Sequence, residues 1–395
     1  DGTFSDVTAG SGIDTMRARY TLGAAFGDYD RDGDLDMLLT HWGSTLSVAA
    51  GSLTTEVVDT GHLWRNDSSN GRILFTSVSQ AAGISPGVIT LPDPLKYKAD
   101  GDWTFTPSFA RINGDLYPDI LLAADFNRSQ VFINNTDGTF SNMTDVAVLT
   151  DYNGMGSAVG DYDNDGDLDW FVTAIMFPDL PDTGNRLYRN DNGVFVDVTD
   201  AAGVRDGGWG WGTCFLDFQN DGNLDIYATN GWDQEGDFAS DVTRAFVGSG
   251  GARFNEGAAL LGLDDNRQGR AVVCADFDND GDTDIFQLHH AAPLSATMWR
   301  NDTSRYKSLT VKLVGLPPNT EAVGARIYVK TGPKTQMREI MVGNNFASQN
   351  PTIQVFGIGP GSLADKVTVE WPDGQRTERE SVIVGQTLTL RHPDL

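Results

Sequence analysis

The stretch DYDRDGDLD, Asp28–Asp36, indicates the fold class of this chain because it recurs along the sequence. Full copies are DYDNDGDLD at Asp161–Asp169 and DFDNDGDTD at Asp276–Asp284, DFQNDGNLD at Asp217–Asp225 is a near copy, and RINGDLYPD at Arg111–Asp119 is a degraded one. We number these stretches loops 1 to 5 in chain order, and their starts are 83, 50, 56 and 59 residues apart. Short apolar strand patterns flank each loop, so the repeat predicts an all-β fold, a β-propeller with five visible blades.

The spacing D-x-D-x-D-G-x-x-D predicts a calcium site in each loop that keeps it. Calcium binds six to eight oxygen ligands, and alternate residues of a tight loop direct their oxygens at one point. The glycine permits the sharp turn, and the ninth-position Asp reaches the site from the next strand. The predicted ligands are Asp28, Asp30, Asp32, Asp34, Asp36, Asp161, Asp163, Asp165, Asp167, Asp169, Asp217, Gln219, Asp221, Asn223, Asp225, Asp276, Asp278, Asp280, Asp282 and Asp284.

Loops 4 and 2 depart from the full pattern. In loop 4 Gln219 replaces an Asp, and its amide oxygen can still bind calcium. In loop 2 Arg111 replaces the first Asp and Leu116 replaces the glycine. There we expect no calcium, and an internal ion pair of Arg111 with Asp115 and Asp119 instead.

Composition narrows the class of partner. The 395 residues include 28 Lys and Arg against 55 Asp and Glu, a formal charge of −27, and twenty of those acids lie in the five loops. So large an acidic excess argues against nucleic acid and anionic membranes as partners. The longest apolar runs are far shorter than the roughly 18 residues of a membrane-spanning helix, so no membrane span is expected.

The two cysteines, Cys214 and Cys274, are too few for a disulfide scaffold or a four-cysteine zinc site. They precede loops 4 and 5 at odd and even distances, which places them on opposite faces of equivalent strands. We therefore expect two buried free thiols rather than a bridge. The polar start at Asp1 shows no signal peptide and is compatible with a processed chain and equally with a trimmed one.

The ends of the repeat region suggest how the ring closes. Residues 1–8, DGTFSDVT, resemble the fourth strand of the other units, so we expect them to complete the last blade. We place the propeller at residues 1–306, with Ser85–Gly101 as an ordered surface insertion. From residue 307 to 395 the pattern changes to six short strand signals without acidic loops, which predicts a small C-terminal β domain.

At this point the chain resembles a known family. The blades are similar to FG-GAP/VCBS repeats, and the C-terminal region resembles the ASPIC/UnbV domain through KLVG, VGARIYV, ASQNP, FGIG and VTVEWPDG. Together they resemble the cartilage acidic protein family of secreted calcium-binding proteins and their microbial relatives. The resemblance implies an extracellular propeller whose loops bind calcium, and no single biochemical activity. Familiar members have seven blades, whereas five repeats are visible here.

The face opposite the acidic loops carries the candidate ligand site, because equivalent strand ends converge on the propeller axis. The candidate ligand-binding residues are Tyr20, His41, Trp103, Asp125, Trp209, Trp211, Asn230, Trp232, His289 and His290. Candidates for acid–base catalysis are His41, His289, Tyr20 and Arg270. With five blades His41 and His289 would come from neighbouring blades. The alternatives are that the aromatic rings merely cap the packing of blades, or that the two histidines bind a transition metal.

Two functions follow from these patterns. The first is a secreted, calcium-stabilised propeller that binds an extracellular protein, a glycan or a small organic ligand. The second is an enzyme of the cyclase or lyase type, with a use such as natural-product biosynthesis, and it would require a deep pocket at the ring centre. N-glycosylation motifs occur at Asn66, Asn127, Asn134, Asn142 and Asn301.

Overall fold

A computed structural model describes residues 2–16, 20–45, 59–85, 88, 101–180, 182–233, 238–290, 296–302 and 305–395. In this part of the chain the protein is all-β. The strands of the repeat region are β1 (Thr21–Gly27), β2 (Asp36–His41), β3 (Ser44–Thr45), β4 (Leu63–Asn66), β5 (Phe75–Ser77), β6 (Gly101–Asp102), β7 (Thr104–Ala110), β8 (Asp119–Ala124), β9 (Gln130–Asn134), β10 (Phe140–Asn142), β11 (Ser157–Gly160), β12 (Asp169–Val172), β13 (Arg186–Asp191), β14 (Val194–Asp197), β15 (Gly210–Leu216), β16 (Asp225–Asn230), β17 (Arg244–Gly248), β18 (Phe254–Glu256), β19 (Gly269–Ala275), β20 (Asp284–His289) and β21 (Ala296–Trp299).

These strands form five antiparallel sheets, each built around one acidic loop. The sheet orders are β1-β2-β4-β5, β7-β8-β9-β10, β11-β12-β13-β14, β15-β16-β17-β18 and β19-β20-β21, with β3 and β6 as a separate pair. Each acidic loop joins the first and second strands of its sheet, as the repeat predicts. The described part of the repeat region also contains helical turns, among them α1 (Thr199–Ala202) and α2 (Ala258–Leu261), and a 3₁₀ turn (Ile13–Thr15).

The first strands of successive sheets pack side by side, β1 on β7, β7 on β11, β11 on β15 and β15 on β19. Glycines allow this approach: a Cβ at Gly156 would overlap the carbonyl oxygen of Trp211, and one at Gly212 would overlap that of Arg270. The sheets therefore radiate from a common axis as propeller blades, and the predicted fold class is confirmed. Five blades lie within the described residues.

The C-terminal region, residues 307–395, forms two more sheets. Its strands are β22 (Ser308–Val314), β23 (Arg326–Thr331), β24 (Lys334–Glu339), β25 (Gln354–Gly357), β26 (Leu363–Glu370), β27 (Arg376–Ile383) and β28 (Thr387–Arg391), in the orders β25-β22-β28 and β24-β23-β26-β27. They enclose their own core around the fully buried Trp371. The sequence predicted six strands and missed β27, because RTERESVI is mostly charged and exposed.

A C-terminal segment, residues 342–350, lies between the first and fifth blades. On one side the Phe26 amide donates to the Val342 carbonyl at 2.9 Å. On the other side the Cys274 amide donates to the Asn350 side-chain oxygen at 2.9 Å. The ring of blades is therefore bridged by a piece of the C-terminal region.

The described residues do not show the predicted closure of the fifth blade by the N-terminal strand. The fifth sheet has three strands, and residues 2–8 form no strand there. The N-terminal segment instead reaches the first blade, where the Phe75 amide donates to the Ser11 carbonyl at 2.7 Å. The likeness of DGTFSDVT to a fourth strand did not specify which blade it would meet. The predicted insertion, Ser85–Gly101, lies almost wholly outside the described residues.

The C-terminal region covers the face that carries the acidic loops, and Arg111 of loop 2 is one of the residues that contact it. The Arg111 guanidinium lies 3.4 Å from Glu339 and 3.1 Å from Glu370, and Arg326 contacts the same Glu339 at 2.8 Å. The predicted ion pair of Arg111 with Asp115 and Asp119 is therefore wrong. The loop that lost its calcium pattern docks the C-terminal region instead.

Cys214 and Cys274 form a disulfide, which corrects the expectation of two free thiols. Their Cα atoms, in β15 and β19, are 6.6 Å apart. Neighbouring blades stack with one face of a sheet against the opposite face of the next. Cysteines on opposite faces of equivalent strands therefore point toward each other. The odd and even distances of the cysteines from loops 4 and 5 thus favour a bridge rather than two free thiols.

We expect loss of this disulfide to weaken the junction of the fourth and fifth blades. Cross-linking positions 60 residues apart removes chain entropy from the unfolded state, worth about 2–4 kcal/mol. The C214S/C274S double variant should therefore unfold at a lower temperature by roughly 5–10 °C in differential scanning fluorimetry. A reductant should lower the wild-type midpoint and leave the double variant unchanged. An equal effect of reductant on both proteins would contradict the assignment.

Candidate functional site

The three full loops gather carboxylates as the calcium pattern predicts. In each loop three carboxylates offer one oxygen apiece within 4.8 Å of one another. The groups are Asp28, Asp30 and Asp32; Asp161, Asp163 and Asp169; and Asp276, Asp278 and Asp284. The turn glycines, Gly33, Gly166 and Gly281, have φ near +100°, a conformation that a side chain would strain.

The ninth-position Asp has a second role that the sequence did not reveal. In loop 3, Asp169 accepts the Tyr162 amide at 3.1 Å on one oxygen and the Asn190 amide at 2.9 Å on the other. The same pair of bonds occurs at the ninth position of every loop, including loop 2, where Asp119 accepts Ile112 and Asn134. This carboxylate therefore ties the loop to the third strand with or without a metal.

Several loop oxygens have no hydrogen-bond partner in the described structure. They include Oδ1 of Asp28, Asp30 and Asp163 and Oδ2 of Asp161, all shielded from solvent. Burial, together with adjacent carboxylates, raises the pKa of Asp28 to about 6 and that of Asp161 to about 7. Unpaired buried carboxylate oxygens are costly, and a bound divalent cation would satisfy them. The donor set in loops 1, 3 and 5 fits calcium.

Loop 4 differs from the full loops because the C-terminal region occupies part of it. The Lys334 ammonium donates to the Asn223 side-chain oxygen at 2.7 Å and to the Gly222 carbonyl at 3.1 Å. Gln219 donates to Asp221 at 3.4 Å, so its amide nitrogen, not only its oxygen, faces the loop. Calcium in loop 4 stays a prediction, and the ammonium supplies a positive charge at its edge.

Because the pKa values of these carboxyls are raised, we expect the stability of the metal-free protein to depend on pH. Burial also raises the pKa of Asp36 to about 8, so the native state keeps protons that the unfolded chain releases near pH 4. The native state then binds more protons, and its stability falls as the pH rises through these values. We expect the melting temperature in metal-free buffer to fall by about 5 °C or more from pH 6 to pH 8. Millimolar calcium should flatten the slope, and a flat metal-free profile would contradict this account.

Three of the five predicted glycosylation sites are structural. Asn66, Asn134 and Asn301 end or follow third strands, and each donates its amide nitrogen to a backbone carbonyl of a loop region. Asn134, for example, is 3 % exposed and donates to the Tyr29 carbonyl at 2.9 Å. N-glycosylation replaces one hydrogen of the side-chain nitrogen, so a glycan at Asn134 would cost one of its two bonds, which run to the Tyr29 and Pro118 carbonyls. Glycosylation of these three residues stays a prediction. Asn142 is exposed, and Asn127 is partly exposed.

The two candidate histidines are not paired with each other. His41 is fully buried, with Nε2 3.1 Å from the Gly61 carbonyl and its ring 5.0 Å from that of His62. Burial and the neighbouring His62 lower the pKa of His41 to about 4. His289 lies instead at the fifth blade, where its Nε2 is 2.8 Å from the Thr297 hydroxyl. The predicted His41–His289 site is therefore not formed.

The structure reveals a buried polar network that sequence reasoning missed. His62 Nδ1 lies 2.6 Å from the Thr60 hydroxyl, and its Nε2 lies 3.1 Å from Asp102. All three residues are at most 5 % exposed. Thr104 also donates to Asp102 at 2.8 Å and joins the second blade to this network. No sequence signal marked these residues, because the repeat pattern does not include them. Their burial is consistent with a role in packing the first and second blades together.

Most of the other candidates lie in two neighbouring groups on the face opposite the loops. Trp103 packs edge-on against Trp42, whose indole nitrogen donates to Asp125 at 3.0 Å. Asn230 is fully buried and donates to the Gly207 carbonyl at 2.9 Å, whereas its side-chain oxygen has no partner among the described residues. Tyr20 is 69 % exposed at the start of the first blade.

The second group, which we call the Trp–Arg cluster, consists of Trp209, Trp211, Trp232, Arg270 and His290. Trp232 stacks on Trp209 at 5.3 Å and on His290 at 6.3 Å. The Arg270 guanidinium lies 4.2 Å from the Trp211 ring centre and 5.4 Å from that of Trp232, a cation–π arrangement. The sequence identified all five members, and the strand ends of the fourth and fifth blades bring them together.

Two buried donors of the Trp–Arg cluster have no acceptor among the described residues. They are Trp209 Nε1 and Arg270 Nη2. The other Arg270 nitrogen, Nη1, donates to the carbonyls of Gly231 at 3.1 Å and Gly269 at 2.7 Å. Burial lowers the pKa of Arg270 to about 10, so the guanidinium stays charged at neutral pH. An acceptor from outside the described structure would complete this cluster.

In the described part of the chain, side chains fill the axis on this face, where the enzyme alternative requires a deep pocket. Phe346 of the bridging segment occupies the axis and packs against Phe105 at 5.6 Å and Trp211 at 5.3 Å. A cavity of about 620 Å³ lies on the other side, between the inner strands of blades three to five and the C-terminal region. The sequence did not indicate this cavity because it contained no signal for the docking of residues 307–395.

Comparison with known proteins agrees with the two patterns read from sequence. Residues 315–395 match the ASPIC and UnbV family model, and residues 111–172 match the FG-GAP-like repeat model. The chain carries an FG-GAP-like repeat and an ASPIC and UnbV domain. The predicted resemblance is confirmed at this level, and loop 2 and loop 3 both lie in the matched repeat.

Two curated relatives are similar over most of the chain. Cartilage acidic protein 1 of Homo sapiens is 24 % identical over 333 residues, which cover 80 % of this chain and 45 % of that protein. The Mus musculus protein of the same name is 24 % identical and is covered over 46 % of its length. This chain therefore spans less than half the length of the curated relatives it matches.

Among solved structures, the V. cholerae biofilm matrix protein Bap1 aligns with 96 % of this chain and 61 % of its own, at 9 % identity and a TM-score of 0.30. A score of that size carries no argument about function. In the described residues no helix has the length and apolarity required to cross a bilayer.

Proposed function

We propose that this protein is an extracellular, calcium-stabilised β-propeller that binds a partner through the Trp–Arg cluster. The observation that carries the proposal is the pair of buried donors, Trp209 Nε1 and Arg270 Nη2, without acceptors in the described structure. An unsatisfied buried donor costs about 1–3 kcal/mol, so a partner that supplies an acceptor is favoured at this position.

The chemistry of the cluster favours a protein partner. Tryptophan and arginine are the residues most enriched at the energetic centres of protein interfaces. The Arg270 guanidinium and the Trp209 indole would donate to a carboxylate or a main-chain carbonyl, and the stacked Trp232 would supply apolar contact. The net charge of −27 disfavours extended polyanions as partners. A glycan or a small organic ligand would satisfy the same donors and is an outcome that the experiment below distinguishes.

Calcium in loops 1, 3 and 5 would act as a structural ion. The gathered carboxylates and their unpaired oxygens support this assignment. Calcium supplies charge compensation there, and sites with a Kd of about 10⁻⁴–10⁻³ M suit the millimolar calcium outside cells. The ion would hold each loop closed and keep the strand ends in register, including those that present the Trp–Arg cluster.

Two features support an extracellular location. The Cys214–Cys274 disulfide is of the kind that persists in oxidising compartments. The curated relatives carry the name cartilage acidic protein, which fits a matrix setting. Asn142, exposed at the end of β10, is the glycosylation site that we propose for this chain.

The proposal is tested by capture from extracellular fluid in calcium-containing buffer. We expect the immobilised wild type to retain a specific protein that the W232A and R270Q variants retain at least about tenfold less. The matched control is F277A, which truncates a ring that is 44 % exposed on the opposite face. Melting temperatures confirm that each variant is folded. Equal retention by W232A and wild type would contradict binding through the cluster, and loss of capture after deglycosylation of the partner would indicate a glycan ligand.

A further inference from the structure

The cavity beneath the C-terminal region has the features of a binding site for a small molecule. Its volume of about 620 Å³ is within the range of ligand pockets, and it lies on the axis between three blades and the C-terminal region. Phe346 packs across the axis against Phe105 and Trp211, on the side that carries the Trp–Arg cluster. The cavity is thus distinct from that cluster.

The Arg338 guanidinium faces this cavity and has few hydrogen-bond partners. Of the described residues that line it, Arg338 alone is positively charged. Its Nη1 donates to the Met337 carbonyl at 2.8 Å, and its guanidinium lies 5.2 Å from the Phe356 ring centre. A guanidinium has five N–H donors in a planar fork, so most of its capacity is available to a ligand.

The carboxylates that line the cavity already have hydrogen-bond or ion-pair partners within the protein. Asp217 accepts the Gly222 amide at 2.7 Å, and Asp276 accepts the Gly281 amide at 3.0 Å, so both carboxylates are held by their own loops. Glu339 is paired with Arg326 at 2.8 Å and with Arg111 at 3.4 Å. Arg338 is attracted electrostatically by Asp161 and Asp217, but it forms no direct ion pair with a carboxylate of the described residues.

The remaining walls are apolar side chains and neutral amides. Val159, Phe215, Val273 and Met341 supply the apolar surface, and amides such as Asn344 and Gln349 supply donors and acceptors. Such walls favour an apolar molecular body and disfavour a highly charged one.

We propose that this cavity binds a small monoanionic carboxylate with an apolar body. The carboxylate pairs with the Arg338 guanidinium, the apolar body lies along the walls between Val159 and Val273, and the amides accept or donate at its edge. Residues of the blades and of the C-terminal region both line the site, so the docked C-terminal region would take part in binding. The inference does not depend on the partner proposed for the Trp–Arg cluster.

The test uses 4-phenylbutyrate as the probe and 4-phenylbutyramide as its neutral isostere, titrated calorimetrically into the full chain in calcium-containing buffer. We expect one saturable site per chain, with at least about tenfold weaker binding of the neutral amide. The R338Q variant should lose the preference for the anion. The V273F variant, which fills the cavity and keeps the charge, should lose both ligands.

The matched control is R379Q, which removes an exposed arginine of β27 and should bind as the wild type does. Melting curves identify any misfolded variant, and V273F decides the question if R338Q does not fold. Three results would overturn the proposal: no saturable binding of 4-phenylbutyrate by the wild type, an unchanged anion preference in R338Q, or wild-type affinity in V273F.

Discussion

Removal of calcium from the wild type should lower its melting temperature by about 10 °C. A site with a Kd near 10⁻⁴ M contributes about 1.4 kcal/mol at millimolar calcium, and three such sites contribute about 4 kcal/mol. In a chain of this size each kcal/mol corresponds to roughly 2–4 °C. Differential scanning fluorimetry in excess EGTA, and again after calcium is restored, measures the effect. An unchanged midpoint would contradict structural calcium.

The D161N variant separates loss of a calcium ligand from damage to the loop. Asn keeps the Oδ1 acceptor that receives the Asp165 amide at 3.0 Å and removes the charge beside the unpaired Oδ2. In calcium we expect D161N to melt several degrees below the wild type. In EGTA it should be at least as stable, because burial already penalises the charged form of Asp161.

The matched control for D161N is D115N in loop 2, where no calcium is expected. Asp115 accepts the Tyr117 amide at 2.8 Å, and Asn can keep that bond. Its melting temperature should respond to calcium as the wild type does. A loss of the calcium response in D115N equal to that in D161N would show that the ranking of the loops is wrong.

The second large effect is expected at Glu339, which joins the C-terminal region to the propeller. The E339Q variant leaves Arg326 buried without its carboxylate and leaves Arg111 with Glu370 alone, and breaking a buried pair in this way costs about 3–5 kcal/mol. We expect the melting temperature to fall by roughly 10 °C, or the C-terminal region to unfold in a separate, earlier transition. Circular dichroism and limited proteolysis between residues 300 and 310 distinguish the two.

A surface pair of the same kind serves as the control. Glu378 contacts Lys366 at 2.6 Å, but both side chains are more than a third exposed. Its substitution, E378Q, should cost less than about 1 kcal/mol because solvent screens exposed pairs. If E339Q and E378Q have equal effects, the Arg111–Glu339–Arg326 contact does not hold the C-terminal region in place.

The contrast between Arg111 and Arg270 shows why parts of the site were predictable and parts were not. Arg270, Trp209 and Trp232 follow the repeat, so their positions at equivalent strand ends are enough to predict that they lie on one face. Arg111 also follows the repeat, but its partners Glu339 and Glu370 come from more than 220 residues away. No local pattern indicates which distant carboxylate a guanidinium will meet.

The cysteines and β27 illustrate two other limits. The faces of Cys214 and Cys274 were assigned correctly, but the inference failed because it ignored how one blade stacks on the next. In β27 the side chains are charged and largely exposed, so hydrophobic alternation gave no signal, although the backbone pairs with β26 along its length.

By itself the sequence determined the acidic loops, the clustering of their carboxylates and the number of visible blades, because each repeat is marked by residues close together in the chain. Only the tertiary structure decided what bridges the first and fifth blades, what fills the axis and where the cavity lies. Phe346, Arg338 and Glu339 have these roles because the C-terminal region folds back onto the loop face. That placement results from packing between segments far apart in the chain, which no local pattern encodes.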